Sequence, residues 1–290
     1  MPDVDAGALA DLRARRPQAI AEAAAQRPRR PLMRASGRLM IVAADHTARG
    51  ILGVSGRPLV MANRADLLDR LVVALGRPGV DGVLGSLDVL EDLLLLGALE
   101  GKLAFGSMNR GGIAGASFEL DDRFTGADAA RLAALRFDGG KMLLRVDPQD
   151  PGSLSTLTAC ARAVSELAAE GLMAMVAPSW VTRADGTLRT LLDAEHMMRA
   201  ISVAAALGNT SAHTWLKVPP VDDIERVMES STLPALLLGG DVGSDPDAVL
   251  ARWRRALTLP TVRGLVVGRA LLYPPDDDVA AAVDTAVGLL

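Results

Sequence analysis

"LMIVAADHTARG", residues 39–50, is an aliphatic run that ends on Asp45 and His46 and continues as Thr-Ala-Arg-Gly. A run without polar alternation is how a strand buried on both faces of a parallel sheet reads. The residues after the run decide between two parallel architectures. An open doubly wound sheet puts Gly-x-Gly-x-x-Gly in this turn, so that a pyrophosphate can approach the backbone. This chain has Ala-Asp-His-Thr-Ala-Arg-Gly there instead. A closed barrel places polar chemistry at its strand ends, where Asp45 and His46 stand.

Seven further runs follow at intervals: "GVDGVLGS" (79–86), "LAFGSMN" (103–109), "GKMLLRVDP" (140–148), "LMAMVAPSW" (172–180), "HTWLKVP" (213–219), "PALLLGGD" (234–241) and "GLVVGRALL" (264–272). Between most of them lie segments with apolar residues at helical spacing, such as 153–170 and 188–207. Eight strand–helix units in one chain of 290 residues predict an α/β fold, a single (β/α)₈ TIM barrel over 37–290. An open doubly wound sheet is the runner-up. Residues 1–36 are expected to form an N-terminal helical extension on the outside, interrupted at Pro17 and joined through the basic linker "RPRRP" (27–31). Its arginines suit a solvated or interface segment better than a nucleic-acid arm.

Half of the residues are hydrophobic and only 3% aromatic, so the core has to be Ala, Val, Leu, Ile and Met. A net charge of −4 leaves no basic surface for sequence-independent nucleic-acid binding. Cys160 is the only cysteine, which rules out an intrachain disulfide or a two-cysteine metal site. No run approaches the ~18 apolar residues of a membrane span, and the N-terminus lacks the pattern of a secretory signal. A cytoplasmic protein is expected.

The basic residues carry a stronger signal. The chain has 28 arginines but three lysines, Lys102, Lys141 and Lys217. Where Arg replaces Lys so freely, a retained lysine marks a place where a removable proton matters, because Arg stays protonated. Side chains two apart on a strand share a face. In "KMLLRVD" that sends Met142, Leu144 and Val146 toward the helices and Lys141, Leu143, Arg145 and Asp147 into the barrel. In "HTWLKVP" it sends His213, Trp215 and Lys217 inward, with Lys217 nearest the catalytic end. Lys102 precedes the third strand at the opposite end and reads as structural.

For Lys141 and Lys217 two readings stand. Each could form an inward salt bridge, with Asp147 or Asp45 as partner. Alternatively, a desolvated lysine beside a second cation keeps a free amine that attacks a carbonyl and forms a Schiff base. Lys217 fits the nucleophile better, and Lys141 is the second cation, able to hold a substrate oxygen.

The last two strands read as an anion site. Gly239 and Gly240 in "LLLGGDVG", with Gly268 and Arg269 in "VVGRALL", place small residues and one cation where barrels bind phosphate. Arg145 and Ser179, at the ends of strands four and five, complete the substrate-binding set. His46, His196 and His213 do not converge on one mouth, so no metal site and no cofactor are expected. Cys160 and the methionines read as core.

On "AADHTARG", "GGKMLLRVDP", "TWLKVPP", "LLLGGDVG" and "GLVVGRAL", spanning residues 38–272, the chain resembles the class I (Schiff-base) aldolases of the deoxyribose-phosphate and tagatose-bisphosphate aldolase superfamily. It is most similar to an actinobacterial aldolase-like (β/α)₈ branch linked to myo-inositol catabolism. The resemblance implies a metal-independent aldehyde-lyase with Lys217 as Schiff-base lysine, Lys141 as second lysine and Asp45 as acid/base or hydroxyl-orienting group. Gly239, Gly240, Gly268 and Arg269 would cradle the phosphate of a phosphorylated carbonyl substrate, one guess being a deoxy-keto-gluconate phosphate. The chain departs from the tagatose-type pattern at strand five. There Ala177 precedes Pro178 in place of a glutamate, and Ser179 and Trp180 are expected to reshape the wall. Other readings are a transaldolase-like or dehydratase Schiff-base enzyme, and a barrel that binds a sugar phosphate as a sensor or partner subunit. The extension makes a homo-oligomer conceivable; nucleic-acid and membrane partners are not expected.

Overall fold

The computed structural model describes residues 3–239 and 246–290. Two short helices open the chain, α1 (Ala6–Arg15) and α2 (Ala19–Gln26), broken around Pro17. Strand β1 (Leu39–Ala44) follows, then α3 (Arg64–Gly76), β2 (Gly82–Gly85), α4 (Leu87–Leu95) and β3 (Leu103–Ser107). The middle of the chain holds α5 (Ala129–Ala134), β4 (Gly139–Val146), α6 (Gly152–Ala169), β5 (Met173–Ala184), β6 (Thr187–Leu191) and α7 (Ala194–Ala205). It ends with β7 (Thr214–Val218), α8 (Ile224–Met228), β8 (Ala235–Leu238), α9 (Pro246–Ala256), β9 (Val262–Val267), α10 (Arg269–Leu272) and α11 (Val279–Val287).

The strands run in the order β4-β3-β2-β1-β9-β8-β7-β5, all parallel, and β4 pairs with β5 to close the ring. This is the eight-stranded (β/α)₈ barrel. The ninth strand is an addition. β5 continues four residues past Trp180 and turns at Asp185 and Gly186, both at positive φ, into the antiparallel β6. Two central residues at positive φ make the tight turn whose twist matches a hairpin. Residues 188–191 are therefore strand and not the start of a helix; the helix of this segment begins at Ala194. Likewise the last aliphatic run ends as a strand at Val267, and 269–272 form a helical turn.

Alternation along the strands divides the apolar residues into two cores. Met40, Val42, Met142, Leu144, Val146, Leu216 and Val218 pack outward with the helices. Leu39, Ile41, Phe105, Met173, Met175 and Val266 fill the barrel, with Trp215 packed against them. The two cores lie on opposite faces of the barrel strands, whereas β6 is largely exposed.

Gly264 shows how tight the ring is. Its φ is +135°, and an added Cβ would sit 1.9 Å from the Leu39 carbonyl oxygen. Gly264→Ala should cost on the order of 3 kcal/mol in backbone strain and overlap. Urea unfolding measures this; an unchanged midpoint would mean that β1 and β9 do not pair as described.

The N-terminal segment forms the barrel floor. Arg27 is buried and donates to the carbonyl oxygens of Lys102 (2.6 Å) and Arg136 (2.5 Å). Arg29 bonds Asp138 at 3.0 Å, and the Arg30 guanidinium pairs with Asp81. The two carboxylates also accept from backbone N–H groups at the strand starts, Met40 N to Asp81 and Ala104 N to Asp138. Leu32 and Met33 then pack against the barrel's inner core. Arg27 and Arg30 are thus not solvated; they fasten the segment beneath the strands. Lys102 belongs to this end as well, with Nζ donating to Val80 O at 2.7 Å.

Candidate active site

The opposite end of the barrel opens into a cavity of ≈ 400 Å³. Among the described residues its lining holds six basic side chains, Arg49, Arg110, Lys141, Arg145, Lys217 and Arg269, against one carboxylate, Asp45. Such a site favours an anionic ligand, because focused positive potential raises the local anion concentration.

Asp45 is the hub. Leu39, Ile41 and Ala43 of β1 point into the barrel, and Asp45 continues that face just beyond the strand. Its Oδ2 accepts from Ser107 Oγ at 3.1 Å, from Lys141 Nζ at 3.0 Å and from Arg110 Nη2. Burial alone would raise its pKa, but Arg110, then Lys141 and Lys217, outweigh burial and hold it well below the usual carboxylate range. Asp45 is therefore an anion in the free protein.

Lys141 sits in the middle of β4, opposite Ser107 of β3 and Met175 of β5. Burial lowers its pKa well below the usual lysine value, and Arg110 lowers it further; the bond to Asp45 works the other way. Lys217 is near the end of β7 beside Leu236 of β8. It is 7% exposed, and among the described residues no hydrogen bond or ion pair engages its amine. Burial lowers its pKa too, with Arg110 adding and Asp45 opposing. The inward pairing considered for both lysines thus exists for Lys141, whose amine lies 3.0 Å from Asp45 Oδ2. Asp147 takes no part: it accepts from Gln149 N and is not in the cavity lining.

Arg110 was not singled out by the sequence. It follows β3 in the turn Asn109–Arg110–Gly111. The Asn109 amide pairs with the Leu143 backbone in both directions, donating to its carbonyl (2.6 Å) and accepting from its N–H (2.8 Å). That pairing aims Arg110 back across the barrel mouth, where Nε donates to Ser107 Oγ at 2.7 Å.

The expected binding residues divide into two groups. Gly239, Gly268, Arg269 and Ser179 all line the cavity. A Cβ at Gly268 would lie 2.3 Å from the Ala43 carbonyl oxygen and 2.8 Å from the His46 ring, so only glycine fits this approach. Gly240 lies outside the described residues. Arg145 also lines the cavity, but its guanidinium is committed to Glu119 Oε1 (2.5 Å) and Asp122 (3.2 Å). Arg49 shares the same Glu119 oxygen at 2.7 Å, and burial together with Arg145 pushes its pKa down to about 10. These charges balance, so Arg145 chiefly ties the loop after β3 to the barrel rim.

Ala177 faces the cavity on β5, and Thr190 and Leu192 of the β6 hairpin complete that wall. Trp180 faces the other way and packs against His196, ring centroids 6.4 Å apart, so it does not reshape the wall. His46 lines the cavity with Nδ1 buried and without a hydrogen-bond partner. Burial pushes its pKa down to about 3, with Lys217, Arg269 and Lys141 acting against the pull of Asp45, so the ring is neutral. Cys160 is buried in α6 against the Leu143 carbonyl, and burial raises its thiol pKa.

The family model described as Cgl0159-like matches residues 37–287. The chain belongs to the Cgl0159-like family. It is similar to the solved structure of Cgl0159 from Corynebacterium glutamicum, with 49% identity over 100% of this chain and 98% of that one, at a TM-score of 0.96. None of the curated proteins compared matches it in sequence. Beyond the family the likeness is one of fold. A Schiff-base-forming fructose-1,6-bisphosphate aldolase superposes with a TM-score of 0.64 at 14% identity, over 93% of this chain and 99% of that one. A fructose-bisphosphate aldolase from Slackia heliotrinireducens does so at 0.62 and 15% identity, over 100% and 93%. Among the described residues no helix is long and apolar enough to cross a membrane.

Proposed function

We propose that this Cgl0159-like chain is a class I, metal-independent aldolase acting on a phosphorylated sugar or sugar acid through a Schiff base on Lys217. One observation carries the reading. Lys217 is a buried lysine amine without hydrogen bond or ion pair among the described residues, in a cavity whose described lining adds five further basic side chains and one carboxylate, Asp45. A charge there is costly, and a neutral amine is a nucleophile. The aldolases of like fold support the architecture, and the "TWLKVPP" resemblance supports the residue.

In this reading the Lys217 amine adds to the substrate carbonyl, and loss of water leaves an iminium. The iminium accepts the electron pair of the breaking carbon–carbon bond, while the hydroxyl proton leaves to a base on the wall that holds Asp45 and Lys141. Gly239, Gly268 and Arg269 would hold the phosphate, so that remote binding energy orients the reacting carbons. A deoxy-keto-gluconate phosphate of inositol breakdown is one candidate substrate.

Borohydride trapping tests the proposal. Reduction in the presence of ketose and aldehyde phosphates should leave a mass adduct on the peptide holding Lys217. Because burial lowers the Lys217 pKa below its usual value, trapping should persist at pH values where a free lysine is almost fully protonated, and fail only on further acidification. Ala177, apolar where a strand-five carboxylate would stand, favours a second reading: a barrel that binds the phosphate without cleaving it. Saturable phosphate-ester binding with no adduct on any lysine would select that reading.

A further inference from the structure

We propose that Arg110 is the cation that occupies Asp45, and that Lys141, relieved of that task, is the uncharged amine that takes the hydroxyl proton in carbon–carbon cleavage. The inference rests on the Schiff-base reading of Lys217 and assigns the base that reading leaves open.

The geometry is a competition for one oxygen. Asp45 Oδ2 accepts from three donors: Ser107 Oγ, Arg110 Nη2 and Lys141 Nζ. One negative charge thus faces two cationic groups, all three buried, with Arg110 8%, Lys141 3% and Asp45 3% exposed. A third, Lys217, faces the same carboxylate. A single carboxylate balances one buried cation, so the surplus charge has to go. Guanidinium does not give up its proton in proteins, whereas a buried lysine does. Arg110 is also the better held: its Nε is anchored on Ser107 and its turn is fixed by the Asn109 pairing with β4. The charged groups facing Lys141 are Asp45 from the end of β1, Arg110 from the turn after β3 and Lys217 from β7. Burial and the Arg110 charge both favour its neutral form, consistent with that geometry.

Asp45 itself is a poor base. A carboxylate already accepting from a guanidinium and two further donors gains little by taking a proton. Its work is to hold Arg110 and Lys141 in place. Lys141 lines the cavity on the same strand face as Leu143, and Lys217 lines the same cavity. In the cleavage step the bond between the carbon next to the iminium and the hydroxyl-bearing carbon breaks. Its electron pair forms the enamine, which neutralises the iminium nitrogen. The hydroxyl becomes a carbonyl, and its proton moves to Lys141 Nζ, making an ammonium. That ammonium returns the proton to the enamine carbon, restoring the iminium for hydrolysis. Arg110 is thereby a positioning residue, and Lys141 a catalytic one.

With only three lysines, ¹⁵Nζ-lysine NMR resolves each amine, assigned by single Lys→Arg variants. In the folded wild-type protein the Lys141 midpoint should lie well below the ordinary lysine value, with the amine uncharged in the range where the enzyme turns over. In Arg110→Gln its midpoint should rise by at least about one pH unit, a tenfold change in protonation ratio, and the acid limb of the turnover profile should move with it. Arg110→Lys, which returns a cation, should recover part of the shift. A Lys141 that remains ammonium up to about pH 9 in the wild type overturns the proposal without any variant, as does an unmoved midpoint in a folded Arg110→Gln protein. Borohydride trapping is run alongside. An adduct on Lys217 with an unmoved Lys141 sinks this inference alone. A shifted Lys141 with no adduct sinks the Schiff-base reading and leaves the amine assignment standing.

Discussion

Lys217→Met should abolish turnover, lowering kcat/KM by about 10³-fold or more, while making the protein more stable by about 1 kcal/mol. The two effects have one cause. Lys217 is a buried amine that no hydrogen bond or ion pair engages among the described residues, so its charge is costly to bury. Methionine fills a similar volume without a charge to desolvate. A lysine kept for structure would behave in the opposite way. Lys102 supplies the comparison: its Nζ donates to the Val80 carbonyl at 2.7 Å on the barrel floor. Lys102→Met should lose about 1 kcal/mol of stability and no activity. Urea unfolding and initial rates on the three proteins decide the matter. Retained turnover in Lys217→Met, or a clear loss of stability, would return Lys217 to the status of a core residue.

The largest stability effect is expected at the floor. Asp138→Ala should cost about 3–5 kcal/mol, because it strips a buried charge of its partner. Asp138 accepts from Arg29 at 3.0 Å and from the Ala104 N–H at 2.9 Å, and it lies 3.8 Å from the buried Arg27 guanidinium. Its removal leaves Arg27 deep in the floor with carbonyl partners but no counterion. The Ala104 N–H, second in β3, loses its acceptor as well. Tryptophan fluorescence in urea measures the loss. A cost below about 1 kcal/mol would put the pair in the class of solvated ion pairs and would mean that the N-terminal segment does not seal the barrel.

The eight barrel strands and the direction of their side chains were legible because a strand has period two, and half of each strand has to meet an aliphatic core. Lys141 and Lys217 could be aimed for that reason alone. The β6 hairpin was hidden although its signal is present. Asp185-Gly186 is the residue pair such a turn demands, but the apolar spacing of the helix that follows masks the short strand between them. Arg145 pointed inward as alternation required. Its partners Glu119 and Asp122 lie on a long irregular loop, and no period relates a loop carboxylate to a strand. Arg110 escaped for the same reason, since its aim comes from the Asn109 side chain pairing with the Leu143 backbone.

The sequence by itself determined the barrel, its two apolar layers and the retention of two inward lysines, because periodicity and composition are local properties. Only the tertiary structure decided which cation owns Asp45, which lysine stands unpaired and what closes the floor. Each of those outcomes is set by burial and by charges distant in the chain, competing for one oxygen or one dry space.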